Sequence, residues 1–449
     1  MAGLISTQEI ARNTLLNQML MIQTASNNIA NADNKNYARQ RVSLLTNPSS
    51  RIAAGWIGNG ARADQITQVR DQYIDQQLLG SISQESDFRT RSDQIGVVSA
   101  QLSDNGTTGL SSDLGAFWNA WEALSQNPNG LVEKDGLLAN TKNLVATIQG
   151  AQSSLTTAVQ GIDQQMTDQL TKINELLQQI GNANQRIIGF ESSGQSANDL
   201  RDFRYKALND LSQYLGISYA EQPNGAVTVN LTDGATSVNL VTGQNSGQLQ
   251  YNSATHLVSY SPVGGGTIAP ASNNLSGGSL SGLSYSLKRL LPPAQGGDAD
   301  SYQVTLDTFT SNLITQVNTA YGATVFTGTS AATIAVAAGF DNAATINGSV
   351  AVTVAGLQDT PLAALGNNTF SQYVSYLQHQ IGQDQATATS KADFQKALLT
   401  DLQSQQQSLS GVSIDEETID LLKFQQVYSA AAKILQRTDE MLKTIIDMV

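Results

Sequence analysis

Leu421, Phe424, Tyr428, Ala431, Leu435, Thr438, Leu442, Ile445 and Val449 follow one another in alternating steps of three and four. That heptad spacing is what a helix shows when one stripe packs against another helix. The stripe runs to the last residue, so the helix must pair or leave the stripe in water. The expected partner is an amphipathic segment near the N-terminus, where Leu15, Met19, Ile22 and Ile29 repeat on one face and Leu16 and Leu20 widen it. Two helices from opposite ends of the chain are therefore expected to form one coiled coil.

Between those ends the period changes twice. From Gln152 to Phe190 a third heptad pattern (Leu155, Val159, Ile162, Met166, Ile173, Leu176, Ile180, Ala183, Ile187) predicts a long helix at the centre of a bundle. Shorter helices are expected over Ser92–Ser103, Asp113–Ser125, Leu131–Gln149 and Asn198–Tyr214, with Asp113 and Asn198 as N-caps and Gly216 as a stop. From Ile217 the period becomes two, in Val227–Leu231, Ser237–Val241, Gln248–Tyr251 and His256–Tyr260, with Asn-Gly, Asp-Gly and glycine-rich turns between them. A helix follows over Ser301–Tyr321, then a second short β excursion at TIAVA and VAVTVAG, and a last helical block from Thr369. The expected fold is mainly α with small inserted β domains. Residues 1–60 and 400–449 form the terminal coiled coil, 61–216 and 285–399 a helical bundle with the excursion near 323–366, and 217–284 an inserted antiparallel β domain.

Composition removes whole classes of function. Lys and Arg number 24 against 37 Asp and Glu, a net charge of −13, so no general basic field draws nucleic acid or an anionic membrane. Cysteine is absent, which removes disulfides, thiolate metal sites and cysteine nucleophiles. Neither a signal peptide nor an apolar run long enough to span a bilayer is legible, which taken alone points to the cytoplasm. His256 and His379 stand apart from any metal-spaced or nucleophile motif, and neither HExxH nor a Walker loop occurs. The acidic trio Asp415, Glu416 and Glu417 follows Ser413 at a helix start, where carboxylates suit the free N–H groups and the dipole. Trp56, Trp118 and Trp121 are expected to be packing residues.

The most informative local run is SNNIANADNKNYARQR, Ser26 to Arg41. Physically it is a helix stopping at a cluster of Asn and Asp and passing into an extended segment. It also closely resembles the signature near the N-terminus of flagellar rod, hook and hook-associated proteins, and its ending at Tyr37, Arg39 and Gln40 resembles the hook-associated protein 1 family. Asn36 stands where the family usually has Gly, a substitution that suits a left-handed backbone. GWIGNG (Gly55–Gly60), NDLRDFR (Asn198–Arg204), GSLSGL (Gly278–Leu283) and Gln405–Leu442 are each similar to segments of that family, in the same order.

What the resemblance implies is a structural adaptor at the hook–filament junction, needed for filament assembly and motility, with no catalysis and no cofactor or metal. Asn27, Asn28, Ile29, Asn31, Tyr37, Arg39 and Gln40 would form the assembly and export motif. Leu421, Phe424, Tyr428, Ala431, Leu435, Leu442 and Ile445 would pack subunits together and hold an export chaperone. The implied partners are hook protein, hook-associated protein 3 and further copies in a ring, and neither nucleic acid nor an inserted membrane. The implied location is extracellular, in the flagellum, reached through its type III apparatus without a cleaved signal. Two alternatives stay open: another axial protein, such as a hook-associated protein 3 or a flagellin, and an enzyme with a site between Ile217 and Ser284, where only His256, Glu221 and Asp233 could serve acid–base chemistry.

Overall fold

The computed structural model describes residues 2–52, 55–102, 108–233, 236–263 and 275–447. Its first helix, α1 (Ala2–Ala30), returns to the end of the chain to pair with the last one. On the C-terminal helix the predicted seam faces inward: Ala431 and Thr438 are buried, and Leu421, Phe424, Leu435, Leu442 and Ile445 are half-covered. Tyr428 departs from the expectation and is exposed; Val449 lies outside the described residues. The seam of α1 is corrected more deeply. Leu16 and Met19 are 50% and 55% exposed, while Ala11, Asn17, Thr24, Ala25 and Asn28 are buried. Small and amide residues line this face because α1 packs against strand backbone as well as against a helix.

That backbone belongs to a long hairpin, legible in the sequence only as an extended segment. β1 (Gln40–Thr46) pairs antiparallel with β4 (Ala61–Gln68), with Gln40 opposite Gln68 and a bulge after Ser43. β2 (Ser50–Ile52) and β3 (Gly55–Ile57) form its tip. The domain boundary expected at residue 60 thus falls inside the hairpin, since β4 belongs with β1.

α2 (Gln72–Leu102) starts twenty residues before the helix expected at Ser92. In its first half Asp75, Ser81, Ser83 and Asp87 share the buried positions with Leu78 and Leu79 alone, so that stretch of the inward face carries no apolar period to read. α3 (Leu110–Gln126) and α4 (Leu131–Glu191) follow, and α4 is one helix where two were expected. At 1.5 Å per residue its 61 residues span roughly 90 Å. Neither expected N-cap serves. α3 begins three residues before Asp113, whose carboxylate instead accepts a hydrogen bond from Thr147, and Asn198 is the first residue of α5 (Asn198–Tyr214), its amide turned to the Ile66 carbonyl. Gly216 does stop the helix, just past its cap Leu215, and a Cβ there would collide with the Ser276 carbonyl.

The β insertion is a four-stranded antiparallel sheet and a hairpin. β5 (Ile217–Glu221), β6 (Val227–Asp233), β7 (Thr236–Thr242) and β8 (Asn245–Ser246) run in that order, beside the pair β9 (Gln248–Asn252) and β10 (Leu257–Ser261). α6 (Gly278–Leu290) returns the chain to the bundle and crosses α2 closely at Gly282. α7 (Tyr302–Tyr321) is capped by Ser301, which accepts from Val304 N.

The second excursion is barely β at all. β11 (Phe326–Thr327) and β12 (Ala335–Val336) pair over two residues each, and the VAVTVAG segment is helical, with α8 at Ala351–Ala355. Its alternation of Val and Ala mimics a strand, but Ala351 and Val354, three apart, are the two positions that the core buries. α9 (Phe370–Ser410) starts where expected, with Thr369 and Gln372 forming a capping box. A short turn leads to α10 (Ile414–Asp447). The bundle core is aromatic: Phe117, Trp118 and Trp121 of α3 meet Phe326, Phe370 and Phe340 with ring centroids 5.8–6.0 Å apart, and Phe309 packs on Phe370 at 5.9 Å.

One device recurs. Asn17, Asn28, Asn174, Asn184 and Asn318 each turn a side-chain amide onto extended backbone, donating to a carbonyl and accepting from an N–H of the same strand. A primary amide carries both a donor and an acceptor, so one side chain can satisfy a segment that no further strand covers. Asn174 and Asn184 thereby dock α4 onto the β insertion at Leu249 and Val227.

Candidate assembly site

The N-terminal motif and the start of α10 form a single cluster with Asn28, Gln40 and Glu417 buried at its centre. At the end of α1 the amides of Asn27 and Asn31 bond to each other, and Asn27 Nδ2 reaches the Tyr37 hydroxyl at 3.4 Å; Ile29 is half-buried. Asn28 is the centre. Only 1% exposed, it donates to the Gln40 carbonyl (2.9 Å) and Glu417 Oε2 (3.1 Å), and accepts from the Gln40 N–H (2.9 Å) and Tyr37 hydroxyl (2.8 Å). Burial, with Asp202, Asp199 and Glu417 nearby, pushes the Tyr37 phenol well above its ordinary value, so it stays protonated and serves as a donor. Asn36 is not left-handed, as its Gly-like position suggested; its N–H bonds to Asn34 Oδ1 and its carbonyl accepts from Arg70.

Arg39 ties the motif to three elements. Its N–H donates to the Ser410 carbonyl at the end of α9, and its carbonyl accepts from Val69 N after β4. Its guanidinium reaches Glu417 Oε1 (2.6 Å), Glu416 Oε2 (3.1 Å) and Asp420 Oδ2 (3.8 Å). The acidic trio is therefore more than a helix-start preference. Glu417 is 3% exposed and holds both Arg39 and Asn28, while Asp415 stays at the surface. An Arg in the motif and three carboxylates at a distant helix start were the available signal, but a contact across 378 residues has no local signature.

NDLRDFR joins the terminal unit to the bundle and the insertion. Asp199 accepts from Gln40, Asp202 pairs with Arg70 at 2.7 Å, Arg201 bridges Glu191 and Glu221, and Arg204 bonds to Asn184 and the Gly225 carbonyl. Burial raises the Asp202 carboxyl above its usual range, opposed by Arg70. Asp75 completes the network, accepting from Tyr205, Gln406 and Arg70.

Outside the seam, α10 keeps a second apolar row in water: Val427, Ile434 and Met441, seven apart, with Leu422 and Ile446 also exposed. Trp118 and Trp121 are core residues, but Trp56 at the hairpin tip is 72% exposed. Of the groups that could serve acid–base chemistry, His256 and Glu221 are engaged, and the Asp233 side chain lies outside the described residues. His256 lies 2.9 Å from Asp163, His379 sits exposed on α9, and Glu221 is ion-paired to Arg201. Among the described residues no group of three His, Cys, Asp or Glu side chains is placed to hold a metal, and no helix is long and apolar enough to cross a membrane.

Comparison with known proteins gives a consistent set of likenesses. The family described as the flagellar hook-associated protein FlgK helical domain matches residues 95–334, and that of the flagellar basal body rod FlgEFG protein C-terminal segment matches residues 403–448. The chain is 24% identical to flagellar hook-associated protein 1 of Bacillus subtilis (strain 168), over 98% of this chain and 97% of that one. It is 22% identical to that of Escherichia coli (strain K12), over 95% and 96%, and 29% identical to that of Salmonella typhimurium, over 47% and 38%. A solved flagellar hook junction protein FlgK from Burkholderia pseudomallei aligns with a TM-score of 0.49 and 22% identity, covering 56% of this chain and 46% of that one.

Proposed function

Because the chain belongs to the flagellar hook-associated protein 1 family, structural proteins of the junction between hook and filament, we propose that its clamped terminal helices are the unit by which it polymerises there. The observation that carries this reading is the two-sided character of α10. One face is locked onto α1 and anchored by Asn28, Arg39 and Glu417, while the other holds Val427, Ile434 and Met441 in water at heptad spacing. A second seam on a helix already paired by its first is a surface for neighbouring copies.

On this reading a ring of copies buries the outer rows, hook protein lies on one side and hook-associated protein 3 on the other, and the β insertion projects outward. The protein acts through surfaces, without catalysis or cofactor. Export runs through the flagellar type III apparatus without a cleaved signal, to an extracellular position. A chain lacking crosslinks suits threading, and a chaperone holding Leu421–Ile445 would mask both rows of α10 before export.

A strain lacking the gene and supplied with an Ile434→Glu, Met441→Glu double variant tests the reading. Both side chains are exposed in the monomer, so the fold should persist. The variant should reach the medium without incorporation, leaving hooks without filaments. Wild-type incorporation would count against α10 as the polymerising surface.

A further inference from the structure

Where β4, the start of α2, α5 and β5 meet, they line an open cavity of about 340 Å³. Arg70, Arg201 and Arg204 line it, against the carboxylates of Asp75 and Glu221. With Asp202 and Glu191, which pair with Arg70 and Arg201, three guanidiniums meet four carboxylates.

The three guanidiniums are not equivalent. Arg201 is fully engaged, with Nε and one terminal nitrogen on Glu191 (2.7 and 2.9 Å) and the other on Glu221 (2.6 Å). Arg70 bonds to Asp75, Asp202 and the Asn36 carbonyl and stacks on the Tyr205 ring at 3.9 Å, but its buried Nε has no acceptor. Arg204 is 4% exposed, and among the described residues no carboxylate lies within ion-pair distance of it. Its two hydrogen bonds, both from Nη1, go to the neutral oxygens of Asn184 and Gly225. A buried cation held only by neutral acceptors is unfavourable unless a counter-charge completes it. Burial lowers its pKa to about 10, although the charges of Glu221 and Glu191 act to raise it.

We propose that this cavity is a binding site for a compact oxyanion of the phosphate or carboxylate type, supplying the direct ion-pair partner that Arg204 lacks among the described residues. Forked guanidinium donors suit the paired oxygens of such ions better than a halide. Gln72, Ser196 and Asn198 on the same walls add neutral polar groups. Because the walls come from the hairpin, the bundle and the insertion, an occupant would tighten the joint between all three.

The test is calorimetric titration of the purified full chain with inorganic phosphate, and separately with malonate, each at constant ionic strength set with sodium chloride. Calorimetry is preferred to a melting shift because phosphate stabilises folded proteins nonspecifically. Saturable one-site binding of either ion is expected, and the tighter of the two identifies the chemistry. Arg204→Met should weaken binding roughly tenfold or more, the size of a lost charge-assisted hydrogen bond. Gln72→Glu places a carboxylate at an exposed position on the rim, beside Glu221, to which the Gln72 amide donates at 3.4 Å, and should weaken binding several-fold even if the Arg204 variant does not fold. No saturable heat with either ion, or binding undiminished by Gln72→Glu and by a folded Arg204→Met, overturns the proposal.

Discussion

Asn28 Nδ2 and Glu417 Oε2 lie 3.1 Å apart across 389 positions of sequence, and both side chains are buried. The contact joins the end of α1 to the first turn of α10. The pairing of the terminal helices therefore rests on a specific polar lock as well as on an apolar seam.

Asn28→Ala removes four hydrogen bonds and leaves the Gln40 N–H and carbonyl without their buried partner. Unsatisfied buried groups cost about 1–3 kcal/mol each, so a loss of roughly 2–4 kcal/mol is expected once partial hydration is allowed for. Amide exchange at Gln40 should accelerate accordingly. Unchanged protection there would mean that the amide is not what holds β1 to α1.

Arg39 and Glu417 should be coupled. Arg39→Ala strands a buried carboxylate, whereas the pair Arg39→Ala with Glu417→Gln leaves a neutral acceptor, so the double variant should be the more stable of the two. A coupling of roughly 1–3 kcal/mol in denaturant unfolding is expected. Additive effects would show that the pair is solvated in practice.

Much of the frame was legible because it depends on local rules. The seam of α10, the Ser301 and Thr369 helix starts and the alternating strands from Val227 onward all follow from period and capping chemistry. The failures share a physical cause. The first half of α2 buries Asp75, Ser81, Ser83 and Asp87, so an inward face exists without an apolar period. In VAVTVAG two small apolar residue types satisfy helix and strand patterns equally, and the core decides. The Arg39–Glu417 lock and the Arg70–Asp202 pair were invisible because their partners are brought together only by the fold.

Gly282 offers a test of packing against propensity. Alanine is favoured over glycine in a helix by about 1 kcal/mol, yet a Cβ at Gly282 would sit 2.6 Å from the Asp87 carbonyl and 2.7 Å from Thr90 Cβ. Overpacking of that kind costs about 1–3 kcal/mol, so Gly282→Ala should lower the urea midpoint. Gly161→Ala, in the exposed interior of α4 with nothing within 4 Å, should raise it. A rise at both would deny the close crossing of α2 and α6.

Two carboxylates should respond to acid with opposite signs. Burial alone would raise Glu191, but hydrogen bonds from Arg201 and Ala197 N and the charge of Arg201 outweigh it and hold its pKa below the ordinary 4.5. Its contribution is present above that value and lost as pH falls through the folded pKa, so the deficit of Glu191→Gln should shrink on acidification. Asp87 is raised above 3.8 by burial, which Arg91 only partly offsets. Its contribution is present below 3.8 and lost as pH rises through the folded pKa, so Asp87→Asn should gain on the wild type with rising pH. Unfolding free energies measured between about pH 3 and 7 check both signs. Parallel slopes for the two variants would contradict the assignment.

The most direct test of the central claim is an in-frame deletion in the native bacterium, read by electron microscopy of the cells and by assay of unpolymerised flagellin in the medium. A structural role at the hook–filament junction predicts complete hooks without filaments and soluble flagellin outside the cell. Filaments of normal length and number on the deletion strain would contradict it.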